Sequence, residues 1–392
     1  MNKKDIKNER VLIINAQAVQ TLIIARSLKK SGYIVDILCD GKENYGYHTK
    51  YAWKRYVGPS CKDENKYLSH LVNILKEESY ATVIPMDDDA AVIVSKFKDK
   101  LSQYTNILMP EYETFCKAYD KNELMSLCRE KQYPHPRTVD LSIESLDSVP
   151  ENIFPALIKP NYTSGGRGMT LVNSLEEVKE KAPAIIEKYG ASHLQEFILS
   201  GGRQIKVQIF IDRRSGRYYS SVIHKQRYYP ENGGSSCCNV TIEDEKLSAL
   251  CKKVLDDIAW DGFADFDLIE DPKDNVCKIM EINPRIPACI KSAVLSGLDY
   301  GTMIADVATG KELKAYTYIH GQKLRHIGFE ILWFRYSKNR FTTKPSWFRW
   351  IDSKLSFQDF SWRDPLPFFY GTWGNIKKQL NPEFRKSKDG LR

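Results

Sequence analysis

The sequence predicts an α/β domain with a parallel sheet, followed by an α+β domain of two lobes and a basic, aromatic C-terminal extension. Three observations carry this prediction. Strand and helix patterns alternate over residues 1–115, and longer strands mixed with helices occupy residues 116–315. Residues 316–392 hold fifteen Lys or Arg, six Asp or Glu and five of the seven tryptophans. Because the whole chain has a net charge of +8, residues 1–315 are close to neutral.

Composition excludes several classes of protein. With 42% hydrophobic and 28% charged residues, the 392-residue chain is neither disordered nor fibrous. Its nine cysteines include no C-x-x-C pair, so we expect reduced thiols and neither a disulfide framework nor a zinc site. The apolar run 11–14 is too short for a signal peptide, and no segment approaches the ~20 residues of a membrane span. A cytoplasmic protein is expected, with contact at the inner face of a membrane as an addition.

The first domain is predicted from strand and helix patterns that alternate along the chain. Residues 11–14, 33–38 and 81–85 have the pattern of buried strands, and residues 18–30 and 68–78 that of helices. The turn after the first strand, at Asn15, lacks the glycines of a dinucleotide site. The acidic run 87–89 follows the third strand, at the sheet edge where ligands gather, so Asp88 is a candidate substrate contact. The alternative is a solvated first turn of a helix.

The second domain opens near Asp120. Residues 154–160 and 171–172 read as strands, and Ser174 with Glu177 forms a capping box that begins a helix. Long strands are predicted at 205–212 and 217–223. Two more, at 262–270 and 276–282, form a hairpin that turns at Asp271 and Pro272.

This hairpin holds the sharpest chemical pattern. Strand alternation places Asp265 and Asp267 on one face, and Glu281 and Asn283 on one face of the returning strand. Converging carboxylate and amide oxygens suit Mg²⁺, whose coordination phosphate oxygens and water would complete. Arg285 follows on the same side, placed to stabilise a transferring phosphoryl group. The alternative is an exposed acidic strand.

A second candidate is Lys159 with the glycine-rich loop 161–168. Glycines allow a tight loop whose amides can cover phosphates, and Lys159 supplies positive charge from the strand before it. The loop does not follow the G-x-x-x-x-G-K-[ST] pattern. A glycine-rich hairpin turn is the alternative reading.

Taken together and in this order, these motifs resemble the ATP-grasp superfamily. The resemblance rests on Asp120 and Lys121 opening a helix, on Ile158-Lys-Pro160, on Ser164-Gly-Gly-Arg-Gly-Met169, on Gln195-Glu-Phe-Ile198 and on Glu281-Ile-Asn-Pro-Arg285. It implies ATP and Mg²⁺ (or Mn²⁺) as cofactors. It also implies two lobes within residues 116–315, with a hinge near residues 195–198.

The resemblance assigns roles to residues of this sequence. Lys121 and Lys159 would bind phosphates, and the loop glycines Gly165, Gly166 and Gly168 would close over the nucleotide. The implied adenine contacts are the hinge residues Gln195, Glu196, Phe197 and Ile198. The metal ligands carry over to Asp267, Glu281 and Asn283, with Asp265 as a substitute for Asp267. Where the family places a carboxylate for the ribose, this chain has Arg203-Gln204, so Gln204 is the implied ribose contact.

Within the superfamily, the chain looks most like the branch of carbamoyl-phosphate synthase large subunits and D-aspartate ligase. Lys225 and Arg227, two residues apart on a strand, are candidate substrate or phosphate contacts; a solvated basic strand end is the alternative. The implied function is an ATP-dependent carboxylate–amine ligase that forms an amide through an acyl phosphate and releases ADP and phosphate. The rivals are a bicarbonate-activating carboligase and a membrane-apposed nucleotide-binding subunit with little turnover.

The extension, residues 316–392, interleaves cations with aromatic rings. Such a segment can pack onto the ATP-binding lobes, attach to an anionic membrane interface or bind nucleic acid. Packing is favoured, peripheral membrane contact comes second, and no nucleic-acid signature supports the third. Small-molecule carboxylates and amines are the expected substrates, and a cell-envelope or polysaccharide substrate would fit a basic attachment surface.

Overall fold

A computed structural model describes residues 9–141, 146, 149–163, 166–230 and 234–380. These residues form three β-sheets. The first is a parallel sheet of four strands near the N-terminus. The second is a small antiparallel sheet, and the third is a sheet of seven strands that runs into the C-terminal extension.

The N-terminal sheet has the order β3-β2-β1-β4, and every neighbouring pair is parallel. Its strands are β1 (Arg10–Ile14), β2 (Ile34–Cys39), β3 (Arg55–Val57) and β4 (Thr82–Pro85). The helices that follow these strands are α1 (Gln20–Lys30), α2 (Glu64–Glu77), α3 (Asp88–Lys96) and α4 (Lys98–Leu101). Leu12 and Ile14 enter one hydrophobic core, whereas Val11 and Ile13 enter another on the opposite face. Burial on both faces explains the continuous apolar run of β1, and the predicted parallel sheet is confirmed.

The small sheet has the antiparallel order β5-β8-β6-β7. Its strands are β5 (Thr138–Leu141), β6 (Ala156–Pro160), β7 (Thr170–Val172) and β8 (Ser192–Glu196). The helices of this part are α5 (Tyr112–Tyr119), α6 (Lys121–Glu130) and α7 (Leu175–Tyr189). Asp120 caps α6 by accepting from the N–H groups of Asn122 and Glu123, and Ser174 caps α7 by accepting from Glu177 N. Both helix starts therefore lie where the sequence predicts them.

The large sheet has the order β13-β12-β9-β10-β11-β14-β15. Its central strands are β9 (Gln204–Asp212), β10 (Arg217–Tyr229), β11 (Ser235–Ile242), β12 (Gly262–Asp271) and β13 (Val276–Asn283). The helices packed around it are α8 (Glu245–Asp257), α9 (Lys291–Leu295) and α10 (Tyr300–Ala308). Short 3-10 helices lie at Glu151–Ile153 and Ala288–Ile290. β12 and β13 pair as the predicted hairpin.

The predicted extension contributes to the same sheet. It forms β14 (Lys323–Arg325), α11 (Ile327–Tyr336), β15 (Leu355–Phe357) and α12 (Leu366–Leu380). β14 pairs with β11, and β15 then adds in parallel to β14. Glu330 of α11 is fully buried and bonds Arg227 of β10 at 2.7 Å. Residues 323–357 therefore pack on the preceding domain, which is the alternative that the sequence favours.

None of the helices in the described ranges combines the length and the apolar character that a bilayer span requires.

Candidate active site

The β12–β13 hairpin presents its polar side chains on one face of the large sheet. Asp265 lies opposite Asn283, and Asp267 lies opposite Glu281, so all four project from the same side. The pairing shifts by one residue directly after Asp267. This bulge ends the regular alternation at the point where the polar face ends.

Three of the predicted ligands converge on one point. Asn283 Nδ2 lies 3.2 Å from Asp267 Oδ2 and 3.4 Å from Glu281 Oε1. Since one atom reaches both carboxylates, a small cation between them would meet both as well. Asn283 Oδ1 accepts a hydrogen bond from Arg285 Nη2 at 3.2 Å.

Two lysines neutralise the acidic side chains of the hairpin. Lys206 on β9 donates to Asp265 Oδ2 at 2.6 Å and to Asp267 Oδ2 at 2.7 Å. Lys225 on β10 donates to Asp267 Oδ1 at 2.8 Å. Burial alone would raise the pKa of Asp267, but Lys206 and Lys225 outweigh burial and lower it. Asp267 therefore stays ionised.

Asp265 differs from Asp267 in its surroundings. It is fully buried, its Oδ2 is bound to Lys206, and burial raises its pKa. The Asn283 amide approaches Asp265 at the backbone oxygen, at 3.5 Å. Asp267 instead lies against both Asn283 and Glu281, so the geometry favours Asp267 as the metal ligand.

The two predicted phosphate-binding lysines face the hairpin from the small-sheet side. Lys121 Nζ lies 3.8 Å from Glu281 Oε2 and donates to Thr163 O at 2.7 Å, at the start of the glycine-rich loop. Lys159 Nζ donates to Gln195 Oε1 at 2.9 Å. Burial lowers the pKa of Lys159 to about 8; Glu281 opposes this change and Lys121 reinforces it.

The predicted hinge lies at the end of β8. Glu196 N–H donates to Arg137 O at 2.8 Å and Phe197 N–H donates to Pro155 O at 2.9 Å, so neither amide is available to adenine. The N–H of the buried Ile198 has no hydrogen-bond partner among the described residues. Of the hinge amides, Ile198 N–H is thus the one suited to a base nitrogen.

The glycine-rich loop is described in part. Gly166 and Gly168 have φ of 76° and 75°, the left-handed region that favours glycine. A Cβ on Gly168 would lie 2.9 Å from the Tyr189 ring, so this position tolerates no side chain without movement. Gly165 lies outside the described residues.

Arg285 joins the hairpin to the N-terminal domain. Its Nε lies 3.1 Å from Asp88 Oδ1, and Asp88 is buried in the first turn of α3. Asp87 caps this helix by accepting from Ala90 N–H at 3.0 Å. The acidic run therefore both begins a helix and holds the arginine of the candidate site. The alternative of a solvated first turn does not describe Asp88, because its side chain is buried.

One predicted site residue lies elsewhere. Arg227 is buried and bonds Glu330 and Pro345 O, under the C-terminal extension. The register shifts on both sides of Arg227, between Lys225 and Arg227 and between Arg227 and Tyr228. These bulges break the alternation on which the prediction of a shared face with Lys225 depended. The structure corrects Arg227 from a substrate contact to an anchor of the extension.

Two residues of the site were not predicted. Lys206 bridges Asp265 and Asp267; its position two residues after Gln204 on a strand was the available signal. His193 pairs with Lys159 across β6 and β8, is buried, and has Nδ1 2.8 Å from Asn161 Oδ1. Burial lowers the pKa of His193 well below its usual value, so it is neutral.

The donor set fits Mg²⁺. The side chains of Asp267, Glu281 and Asn283 carry hard oxygen atoms, which this ion prefers over nitrogen or sulfur. The Asn283 amide turns its nitrogen to the two carboxylates and its oxygen to Arg285, so its oxygen would reach the metal after rotation of the amide. Over the described ranges, no group of three or more His, Cys, Asp or Glu side chains is arranged to hold a metal. Two carboxylates and an amide leave positions for phosphate oxygens and water, as Mg²⁺ requires.

Comparisons with known proteins identify the family of the chain. The family model described as "Carbamoyl-phosphate synthase L chain, ATP binding domain" matches residues 120–316. D-aspartate ligase of Enterococcus faecium is 25% identical over 243 residues, which are 57% of this chain and 58% of that protein. Carbamoyl phosphate synthase large chain of Clostridium acetobutylicum is 23% identical over 315 residues, covering 74% of this chain and 27% of that protein. This chain thus spans less than two thirds of either relative.

Among solved structures, biotin carboxylase of Campylobacter jejuni in complex with β,γ-ATP shares the fold. The TM-score is 0.65 at 16% sequence identity, over 79% of this chain and 73% of that one. The family match contains every predicted metal ligand, both lysines, the hinge and Arg285. The chain belongs to the family of the carbamoyl-phosphate synthase L chain ATP-binding domain, within the ATP-grasp superfamily.

Proposed function

We propose that this protein is an ATP-dependent, ADP-forming carboxylate–amine ligase. One observation supports the proposal above the rest: Asp267, Glu281 and Asn283 converge within reach of Lys121 and adjoin Arg285. Metal ligands and cations at one place are what phosphoryl transfer to a carboxylate needs.

The nucleotide would lie between the small sheet and the hairpin. Lys121 and Lys159 would contact its phosphates, and the free N–H of Ile198 would hold the base. Gln195 already fixes the Lys159 ammonium at 2.9 Å, so the lysine is oriented in advance. Gln204 lies on the same strand face as Lys206 and is the proposed ribose contact.

Asp267, Glu281 and Asn283 would hold Mg²⁺, which offsets the charge of the phosphate oxygens when bound. Lys206 and Lys225 keep Asp267 ionised and in place. Asp88 fixes one edge of the Arg285 guanidinium, and Asn283 Oδ1 accepts from another nitrogen of the group. The guanidinium is thereby aimed at the site where negative charge develops.

In the first proposed step, a carboxylate oxygen of the substrate attacks the γ-phosphorus of ATP. The bond to the β,γ-bridging oxygen breaks, ADP leaves and an acyl phosphate forms. In the second step, an amine nitrogen attacks the acyl carbon, phosphate leaves with its bonding electron pair, and the nitrogen loses one proton to give the amide. Arg285 offsets the charge on the transferring phosphoryl group.

A second candidate reaction keeps the first step and uses bicarbonate as the carboxylate. The family match to a domain of carbamoyl-phosphate synthase favours it, whereas the relative named D-aspartate ligase favours an amino-acid substrate. We place either reaction in the cytoplasm, and a cell-envelope precursor as acceptor agrees with the surface of the extension.

ADP release tests the proposal. The full chain is incubated with Mg-ATP and pairs of amino acids and carboxylates, and ADP is measured for the wild type, for Glu281→Gln/Asn283→Ala and for Glu270→Gln. Glu270 lies on the same hairpin but pairs with Arg203 near the surface, so this variant is the matched control. We expect substrate-dependent ADP release from the wild type and the control, and its loss in the double variant.

Isotopically labelled substrates distinguish the carboxylate–amine ligase reaction from the reaction with bicarbonate. A substrate labelled with ¹⁸O in its carboxylate should transfer one label to the released phosphate, and labelled bicarbonate should not enter the product. Incorporation of labelled bicarbonate into the product would show that the protein is a bicarbonate-activating carboligase and not a carboxylate–amine ligase. ADP release that survives in Glu281→Gln/Asn283→Ala, or ATP binding without turnover on any pair, would contradict the proposal.

A further inference from the structure

Helix α12 turns its large apolar side chains toward solvent. Between 42% and 70% of each is exposed, which is unusual for a helix that is docked on a protein. These residues are Leu366, Phe369, Tyr370, Trp373, Ile376 and Leu380. At 100° per residue they fall within an arc of about 120°, so they form one continuous outward stripe.

The opposite side of α12 is built to approach the N-terminal domain closely. A Cβ on Gly371 would lie 2.2 Å from the Tyr45 ring, and one on Gly374 would lie 2.5 Å from Glu43 O. Asn375 Nδ2 donates to Tyr45 Oη at 3.2 Å. The helix thus packs through glycines, an amide and the ring of Tyr370, which stacks on His48 at one edge of the stripe; the rest of its apolar face is left outside the fold.

This orientation is the reverse of an ordinary surface helix, which buries its apolar stripe and exposes polar residues. Trp362, 89% exposed, is a further exposed ring just before the helix; it lies 4.8 Å from Phe360, which contacts Phe368 on the inner side of α12. A contiguous exposed apolar surface of this kind marks an interaction site.

Charge indicates what the surface contacts. The described residues of the extension contain four acidic side chains, and each one is turned inward to a partner. Glu330 bonds Arg227, Asp352 bonds Lys323, Asp359 lies against His326, and Asp364 bonds Thr49. Exposed cations remain, and they are Arg335, Lys338, Lys344, Arg349, Lys354 and Arg363. Among the described residues of the extension, the exposed charged side chains are therefore all cations.

We propose that the outward face of α12 binds an anionic lipid bilayer and lies in its interfacial layer. Trp and Phe rings insert at headgroup depth, and cations are attracted to anionic headgroups. Lys377 lies within the stripe; its ammonium pairs with Glu43 at 2.5 Å and lies 5.7 Å from the centre of the Trp373 ring. Since α12 contacts Glu43 and Tyr45 of the N-terminal domain, binding would bring that domain next to the membrane. The inference stands independently of the proposed ligase activity.

Co-sedimentation of the full chain with vesicles tests this inference. Vesicles of phosphatidylcholine alone are compared with vesicles that also contain phosphatidylglycerol, at low and high salt. We expect binding that requires phosphatidylglycerol and weakens as salt rises. Phe369→Ser/Trp373→Ser should weaken binding at least about tenfold, because two inserting rings are lost. Trp53→Ser, which removes an exposed ring of the N-terminal domain, should leave binding unchanged.

Ile376→Glu provides a second variant, since it places a negative charge on the same face and should also weaken binding. Retained ADP affinity shows that each variant is folded. Absence of wild-type binding to phosphatidylglycerol vesicles, or unchanged binding in both face variants, would overturn the inference. A dimer in solution that Phe369→Ser/Trp373→Ser dissociates, without vesicle binding by the wild type, would assign the face to a second copy of the chain instead.

Discussion

Lys206 sets the charge balance of the candidate site. It lies between Asp265 and Asp267, and its own pKa is raised by these carboxylates although burial alone would lower it. The ammonium therefore remains charged and holds the two acids at fixed positions. The sequence predicted the acids from their alternation, but it could not predict this lysine, because cross-strand neighbours depend on the register of β9.

Nucleotide affinity should fall at high pH through Lys159. Burial lowers the pKa of this ammonium to about 8 in the free protein, and phosphates bind its charged form. Affinity for ADP should be constant at lower pH and should weaken as pH rises through about 8, by up to about tenfold per pH unit for the part that depends on this charge. Titration calorimetry with ADP at a series of pH values below and above about 8 measures this change in affinity.

Lys159→Arg provides the control for this prediction, because a guanidinium stays charged at these pH values. The variant should bind ADP with little dependence on pH over the same range. A wild-type affinity that does not change between about pH 7 and about pH 9.5 would contradict the assignment of Lys159 to the phosphates.

Asp267 and Asp265 should differ in their effect on the metal. Asp267→Asn should raise the Mg²⁺ concentration needed for half-maximal ADP release by about 10- to 100-fold, since it weakens a ligand. Asp265→Asn should change it little, because that side chain is bound to Lys206 away from Glu281. A larger increase in the Mg²⁺ requirement for Asp265→Asn than for Asp267→Asn would identify Asp265 as the metal ligand.

At the scale of elements, the hairpin β12–β13 could be predicted because its period of two and its turn residues agree. The hinge at β8 came from family resemblance, since a short segment has a weak pattern, whereas the glycine-rich loop was visible from its composition. β14 and β15 were missed because a strand of three residues is too short to show a period. Arg227 was misplaced by a bulge, which adds one residue without any sequence signal strong enough to locate it.

Glu330 of α11 should stabilise the docked extension. Its carboxylate bonds the buried guanidinium of Arg227, and Arg325 lies 3.6 Å away. Glu330→Gln leaves two buried cations without their counter-charge, so the free energy of unfolding should fall by about 3 kcal/mol. Urea denaturation measures the change, with Glu312→Gln at an exposed position as the control. A loss below about 1 kcal/mol would show that the pair is not essential to docking.

At the scale of the molecule, the extension completes the large sheet and the N-terminal domain holds Arg285 through Asp88. The order of domains could be predicted from composition and period. The contacts between the domains could not be predicted. Asp88 and Arg285, for example, are 197 residues apart in the chain, and a single sequence does not show which distant residues meet in the fold. The basic charge of the extension could likewise be counted from the sequence, but the sequence did not show which side of α12 faces the solvent.

Truncation distinguishes a structural role of the extension from a peripheral one. A chain ending at residue 315 lacks β14, β15 and α11, so the edge of β11 and the Arg227 side chain lose their cover. We expect this chain to aggregate or unfold without cooperativity. A chain ending at residue 365 keeps those elements and should unfold cooperatively. Thermal unfolding followed by circular dichroism compares the two, and a cooperative transition in the 315-residue chain would contradict the prediction.

The central claim is that Asp267, Glu281 and Asn283 hold the metal of a bound nucleotide. Titration calorimetry of ADP with and without Mg²⁺, on the wild type and on Glu281→Gln/Asn283→Ala, tests it most directly. Mg²⁺ should tighten ADP binding about tenfold or more in the wild type and have almost no effect in the double variant. Equal tightening by Mg²⁺ in the two proteins would show that the metal is held elsewhere and would contradict the account.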